Sequence, residues 1–314
     1  MKTFVFVVMF ALLPVVASAA ERPEWAFGPE TPPPAAQPPA NPDEVMRVPG
    51  SNRTYTRKQL EDSANPPDWF PDEHPTMPSV VAHGNKTGAR ACITCHVANG
   101  HGHPENSRLP GATAAYLHRQ LLDMRSGVRA GKAPVNMINI AKAMTEDELR
   151  EATGYFAKLK PMQWTKVIES DTVPKFYFGR GNMRLPVPEG GSEAIGNRII
   201  ELPEDPERVA LRDPHSGFVS YAPKGSLAKG KELVVNGGGG KTIACGICHG
   251  QNLKGLGDVP GIAGRSPLNI ARQLYYFQTG ERTGSLAALM KAPVDKLDGG
   301  DILAISAYVA SLEP

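Results

Sequence analysis

The sequence has only four cysteines, no strong excess of either charge, and no long apolar run after its first twenty residues. A formal net charge of +2 with a pI near 8.3 points to no nucleic-acid partner and no strongly acidic one. The only hydrophobic stretch of note lies within residues 1–20. It has a charged start at Lys2, an apolar run interrupted by Pro14, and the small residues "ASAA" at its end. That pattern is a secretory signal peptide, too short to span a bilayer comfortably, so the mature chain is expected to carry no transmembrane segment and to be periplasmic. After it come nine prolines between Pro23 and Pro49, read as a disordered or polyproline-like leader that acts as a spacer.

The cysteines fall as Cys92/Cys95 and Cys245/Cys248, and a histidine, His96 or His249, directly follows each pair. A tetrahedral zinc site calls for a second Cys or His pair about 15 to 20 residues downstream, and neither pair has one. A thioredoxin-like dithiol needs a βαβ setting and no histidine at the next position. One zinc ion bound by both pairs, or a disulfide within each pair in an oxidising compartment, remains as an alternative. The haem reading uses every position. Two thiols at this spacing form thioethers with the two vinyl groups of a haem, and the next residue offers its imidazole to the iron.

An internal repeat strengthens that reading. Residues 92–159 and 245–312 align without a gap, with sixteen identities in sixty-eight positions. The shared residues include the C-x-x-C-H motif, the "RQL" of Arg119–Leu121 and Arg272–Leu274, and the G-x-R-x-G stretches around Arg129 and Arg282. Met137 and Met290 each follow the motif histidine by 41 residues, in what reads as a loop before the last helix. Type, spacing and context together make them the sixth iron ligands, and a His/Met pair leaves no open coordination position. Met124, Met144 and Met162 read as core packing. His101, His103 and His118 occur in one copy only and read as solvated surface, with His103 kept as a minor ligand candidate.

Helical periodicity runs through both copies and no strand is expected in either. Leu117, Leu121 and Met124 share a face that ends at Gly127, as Ile270, Leu274 and Phe277 do before Gly280. Thr145 with Glu148, and Asp298 with Asp301, have capping-box spacing. A helical module of under about 100 residues is marginal unless something large fills its centre, and a covalent haem would do so.

These features resemble the tandem di-haem class I cytochromes c, of the cytochrome c4 or cytochrome c553 kind. The motif, the middle helix ending in "RQL…G.R", the methionine, and the last helix with Tyr155, Ala157 and Leu159 or Tyr308, Ala310 and Leu312 carry the resemblance. It implies an all-α fold of two tandem domains, residues 78–160 and 226–314, with two covalently attached haem c groups. Before them would lie the leader at 21–50 and an N-terminal extension at 51–77. The long connection, 161–225, is expected to be an ordered, partly extended strap with short strands, serving as a partner-recognition surface or an inter-domain brace. The resemblance also implies that the carbonyl of Pro260 orients His249. Ser107 stands at the matching place before His96, a departure that implies unequal haem potentials. Arg129 and Arg282 are candidate contacts to haem propionates.

The implied function is single-electron transfer from a donor dehydrogenase or membrane complex to an oxidase, reductase or other cytochrome, with no substrate site of the chain's own. Two alternatives stand beside it. One is a di-haem peroxidase or thiosulfate dehydrogenase with one catalytic haem, against which the paired methionines and the absence of a fifth cysteine count. The other is a dedicated electron-accepting subunit of a periplasmic dehydrogenase.

Overall fold

Three helices recur at a constant offset of 153 residues: 93–96, 114–126 and 146–158 return at 246–249, 267–279 and 299–311. They belong to a computed structural model that describes residues 22–29, 41–129 and 135–314, so the expected signal peptide lies outside the described residues. In chain order the helices are α1 (Arg57–Glu61), α2 (Ser79–His83), α3 (Ile93–His96), α4 (Ala114–Ser126), α5 (Val135–Ala143) and α6 (Glu146–Lys158). They continue as α7 (Pro206–Ala210), α8 (Ser226–Asn236), α9 (Gly246–His249), α10 (Pro267–Thr279), α11 (Lys291–Val294) and α12 (Gly299–Ser311).

Local chemistry sets these boundaries twice over. The Thr113 side chain accepts from the Tyr116 amide to open α4, and Ser266 accepts from the Asn269 amide, with Pro267 at the first helical position, to open α10. Both helices stop at a glycine in the left-handed region, Gly127 at φ 81° and Gly280 at φ 77°. Complete capping boxes, Thr145 with Glu148 and Asp298 with Asp301, open α6 and α12. The apolar face of α6 is buried through Leu149, Ala152, Phe156 and Leu159.

The modules differ at their first helix. In the C-terminal module α8 packs along α12. It comes so close at Gly230 that a Cβ there would overlap the Ala304 carbonyl oxygen and the Tyr308 side chain. In the N-terminal module α2 has only five residues, because Pro75 and Pro78 bar a helix from continuing upstream. The ring of His74 meets Tyr155, the counterpart of Tyr308, edge-on at 6.2 Å instead.

The strap is partly stranded, as expected, and the all-α reading is too narrow only outside it. In the strap, Thr165–Glu169 pairs in parallel with Phe218–Ala222, which pairs antiparallel with Ile200–Pro203. Two further antiparallel pairs join Thr172–Pro174 to Ser192–Ala194 and Phe176–Phe178 to Arg184–Pro186. One two-residue pair, Gly255–Leu256 with Val259–Pro260, even falls inside the C-terminal module, where no strand was expected. The strap touches both modules. Trp164 Nε1 donates to the Gly102 carbonyl at 2.7 Å, and buried Glu201 accepts from Thr165 Oγ1 at 2.8 Å and from Ser266 Oγ at 2.6 Å.

Two segments before the modules are packed where a spacer was expected. Ala26 is fully buried in the core of the C-terminal module, and Phe27 lies edge-on to Tyr275 and Tyr276 at 5.9 and 5.8 Å. Residues 41–50 also run in the structure, with Val45–Met46 paired to Tyr55–Thr56. Val48, Leu60 and Trp69 form a small core there, and Trp69 Nε1 donates to the Leu211 carbonyl at 2.8 Å. Apolar side chains between the prolines, Trp25 and Phe27 above all, explain the difference: they bury area that a spacer would leave in water. Among the described residues no helix is long and apolar enough to cross a membrane.

Candidate functional site

Each C-x-x-C-H motif forms a single helical turn, α3 or α9, which sets both cysteines and the histidine on one cavity. That cavity is continuous across the two modules and measures about 1360 Å³, beyond the roughly 300–1,000 Å³ of a pocket for one drug-sized ligand. Its walls are apolar in both halves, with Leu117, Met144 and Phe156 on one side and Ile270, Leu274 and Phe277 on the other.

His96 Nδ1 lies 3.0 Å from the Ser107 carbonyl and His249 Nδ1 lies 2.8 Å from the Pro260 carbonyl. A carbonyl can only accept, so each Nδ1 carries the proton and each Nε2 keeps a lone pair. Burial holds the imidazoles neutral: that of His96 is pushed down to about 4, and that of His249 is also lowered. The contact to Ser107 resolves the departure noted in the sequence. The bond comes from the main chain, so it survives the loss of proline.

All four thiols are free. Burial raises the Cys92 thiol to about 12 and the Cys245 thiol to about 11. Among the described residues no group of three or more His, Cys, Asp and Glu side chains could hold a metal ion.

Both methionines line the same cavity, but neither sits in the expected loop. Met137 lies in α5 and Met290 ends a short 3-10 helix, Ala287–Met290, that leads into α11. Residues 130–134, just before α5, lie outside the described residues. The single-copy histidines divide. His101 is buried, not solvated, with Nε2 accepting from the Met162 amide at 3.1 Å. His103 is half-buried and lines the cavity, while His118 pairs with Glu146 at 2.8 Å.

The cavity's polar wall lies at the boundary between the modules. Arg129 and Arg282 form an isolated antiparallel backbone bridge. Arg129 donates to Gln120 Oε1 at 2.8 Å and to Gln273 Oε1 at 3.3 Å, while Arg282 donates to Gln273 Oε1 at 2.6 Å, Gln120 Oε1 at 2.9 Å and the Tyr116 hydroxyl at 3.1 Å. Gln120 and Gln273 are repeat partners, so the cluster is nearly two-fold symmetric. Burial, and then Arg282, pushes Arg129 down to about 9. Burial alone would raise Tyr116, yet Arg282, Arg129 and Arg265 bring it down to about 8.

Sequence reasoning missed two further arginines here. Arg108 and Arg265 are 7% and 8% exposed, and Nε and Nη1 of Arg108 have no hydrogen-bond partner among the described residues. Burial, and then Arg265, lowers Arg108 to about 8. Buried guanidinium groups without an anion are costly, so this wall is built to receive carboxylates or another anion. No single-sequence signal marks Arg108, whose repeat partner is Gly261; Arg265 stands in "VPGIAGR" beside the proline that was noted.

No protein-family model matches the chain. A curated protein, cytochrome c-554(548) of Halomonas halodenitrificans, is 34% identical over 74 residues, which are 23% of this chain and 89% of that one. Among solved structures, a thiosulfate dehydrogenase (TsdBA) from Marichromatium purpuratum aligns with TM-score 0.49 and 25% identity over 73% of this chain. The match spans only 38% of that longer protein. Cytochrome c4 of Acidithiobacillus ferrooxidans aligns with TM-score 0.47 and 21% identity, over 70% of this chain and 98% of the other. Cytochrome c4 of Pseudomonas stutzeri gives TM-score 0.47 and 21% identity over 71% and 93%.

Proposed function

Because the chain belongs to the class I cytochrome c family, we propose that it is a periplasmic electron carrier with two covalent haem c groups, each ligated by histidine and methionine. The observation that carries this reading is the duplicated site: two C-x-x-C-H turns open on one apolar cavity, each with its imidazole locked by a backbone carbonyl. A bound haem supplies an iron that exchanges one electron at a time.

The chain's residues have distinct tasks around it. Cys92, Cys95, Cys245 and Cys248 would hold the two groups through thioether bonds, each S–H adding across one vinyl group so that the sulfur takes one carbon and the proton the other. His96 and His249 offer Nε2, and Met137 and Met290 offer sulfur on the same cavity. The arginines at the module boundary, Arg129 and Arg282 with Arg108 and Arg265, would supply positive charge to propionates, which would offset the cost of burying those cations. The partners are redox proteins: a dehydrogenase or membrane complex upstream, and an oxidase, reductase or cytochrome downstream.

Mass spectrometry of the mature protein tests the stoichiometry, with two haem additions resistant to acid–acetone extraction expected and a single one refuting the reading. Met290→Ala and Met137→Ala test the ligands. Each should erase the near-infrared sulfur-to-iron band of its own oxidised haem, lower that haem's potential and open it to carbon monoxide. A spectrum left intact would mean that another residue is the ligand.

A further inference from the structure

Just upstream of their motifs the two modules use different chemistry for the same task. In the C-terminal module α8 packs along α12, and Leu227 joins the apolar cluster of Leu303 and Ala307. At the same offset of 153 residues the N-terminal module has His74 where the other has Leu227. His74 belongs to the extension before α2, and its ring meets Tyr155 of α6 edge-on at 6.2 Å. Neighbouring residues of that stretch are tied to the strap: Trp69 donates to the Leu211 carbonyl, and Glu73 lies 2.7 Å from His215. His74 ties it to the module.

Both ring nitrogens of His74 face acceptors. Nε2 lies 3.1 Å from Asp68 Oδ1, and Nδ1 lies 2.9 Å from the Pro75 carbonyl. A neutral imidazole has one N–H and would turn a lone pair toward one of those oxygens, whereas the imidazolium donates to both. The side chains are largely withdrawn from water, at 8% and 21% exposure for His74 and Asp68, so a mismatched nitrogen has little solvent to turn to. The charged and titratable groups around the ring are Asp68 and Glu73 on its own segment, Tyr155 on α6, and Arg53, which donates to the Asp68 carbonyl at 3.4 Å. Burial raises the Tyr155 hydroxyl further above its ordinary value, so it stays neutral.

We propose that His74 is a pH-operated latch, which as the imidazolium fastens the extension to α6 and on losing its proton loosens the first module while leaving the second unchanged. The Asp68 carboxylate holds His74 above its ordinary value of 6.5, against the opposing effect of burial, and the Pro75 carbonyl and Glu73 add to the rise. A folded value above the unfolded one means that the stabilisation is complete below about 6.5 and is lost as pH rises through the folded value. The latch bears on the motif turn, because the Tyr155 hydroxyl donates to the Ala98 carbonyl at 3.4 Å and Phe156 lies edge-on to His96 at 6.0 Å. It does not depend on what fills the cavity.

Hydrogen exchange read by mass spectrometry on the full-length mature protein, corrected for the pH dependence of the intrinsic rate, follows the opening of α6 and α12 separately. At about pH 6 His74→Gln should raise the opening constant of α6 about fivefold, as a half-buried ion pair allows, and by about pH 9 the ratio should fall toward one. The opening of α12 should stay the same at both. Asp68→Asn should give the same rise at the lower pH, and adding His74→Gln to it should raise the constant no further. Equal ratios at the two pH values would overturn the proposal, since the ring would then act only by packing on Tyr155. A full effect of His74→Gln in the Asp68→Asn background, or an equal change in α12, would overturn it as well.

Discussion

Arg129 and Arg282 lie side by side across the module boundary, bridged through their backbones and sharing the side-chain oxygens of Gln120 and Gln273. Each therefore faces both halves of the cavity. Arg282→Gln removes a cation from beside the second haem, which favours its oxidised, more positive state, so that potential should fall. A drop of about 60 mV would be a tenfold shift in the redox equilibrium. Because Arg282 also bonds to Gln120 and Tyr116 of the first module, the first haem's potential should fall with it. Spectroelectrochemical titration reads both, and unchanged midpoints would leave the arginines with a structural role alone.

His249 is oriented by a carbonyl, and a carbonyl does not depend on the side chain that accompanies it. Pro260→Ser should keep the bond that Ser107 already provides to His96, and the second haem's midpoint should stay within experimental error of its original value. A large fall would show that the proline ring itself sets the imidazole's angle.

The packing of α8 on α12 offers a stability test. Gly230→Ala places a methyl group against the Ala304 carbonyl, where backbone must move to admit it. Overpacking of this kind costs about 1–3 kcal/mol, and calorimetry should show the C-terminal module melting earlier. An unchanged transition would mean that the two helices separate freely.

The helix ends were legible where the repeat writes them twice: Gly127 and Gly280, and both capping boxes, are local signals that packing does not override. The motif cysteines and histidines were legible for the same reason, since a single turn is set by residues within it. What escaped was set at long range. Met137 carried no sign of the helix that holds it, because the sequence has Ala133 and Pro134 where a capping Ser, Thr, Asp or Asn would mark a start. His101 looked solvated in a polar stretch, and only the strap's return through Met162 buries it. Arg108 became significant only when the fold brought it against Arg265, 157 positions away.

The short helical turn at Glu24–Ala26 reaches across nearly the whole chain, with the Ala26 carbonyl accepting from Arg272, 246 positions later. Contacts of such separation carry a large loop-closure cost and form late in folding. Residues 24–27 therefore have no place to settle until α10 has formed. The C-terminal module expressed alone would keep its motif yet have an apolar notch where Ala26 and Phe27 belong. Its independence as a folding unit ends where its sequence repeat suggests that it begins.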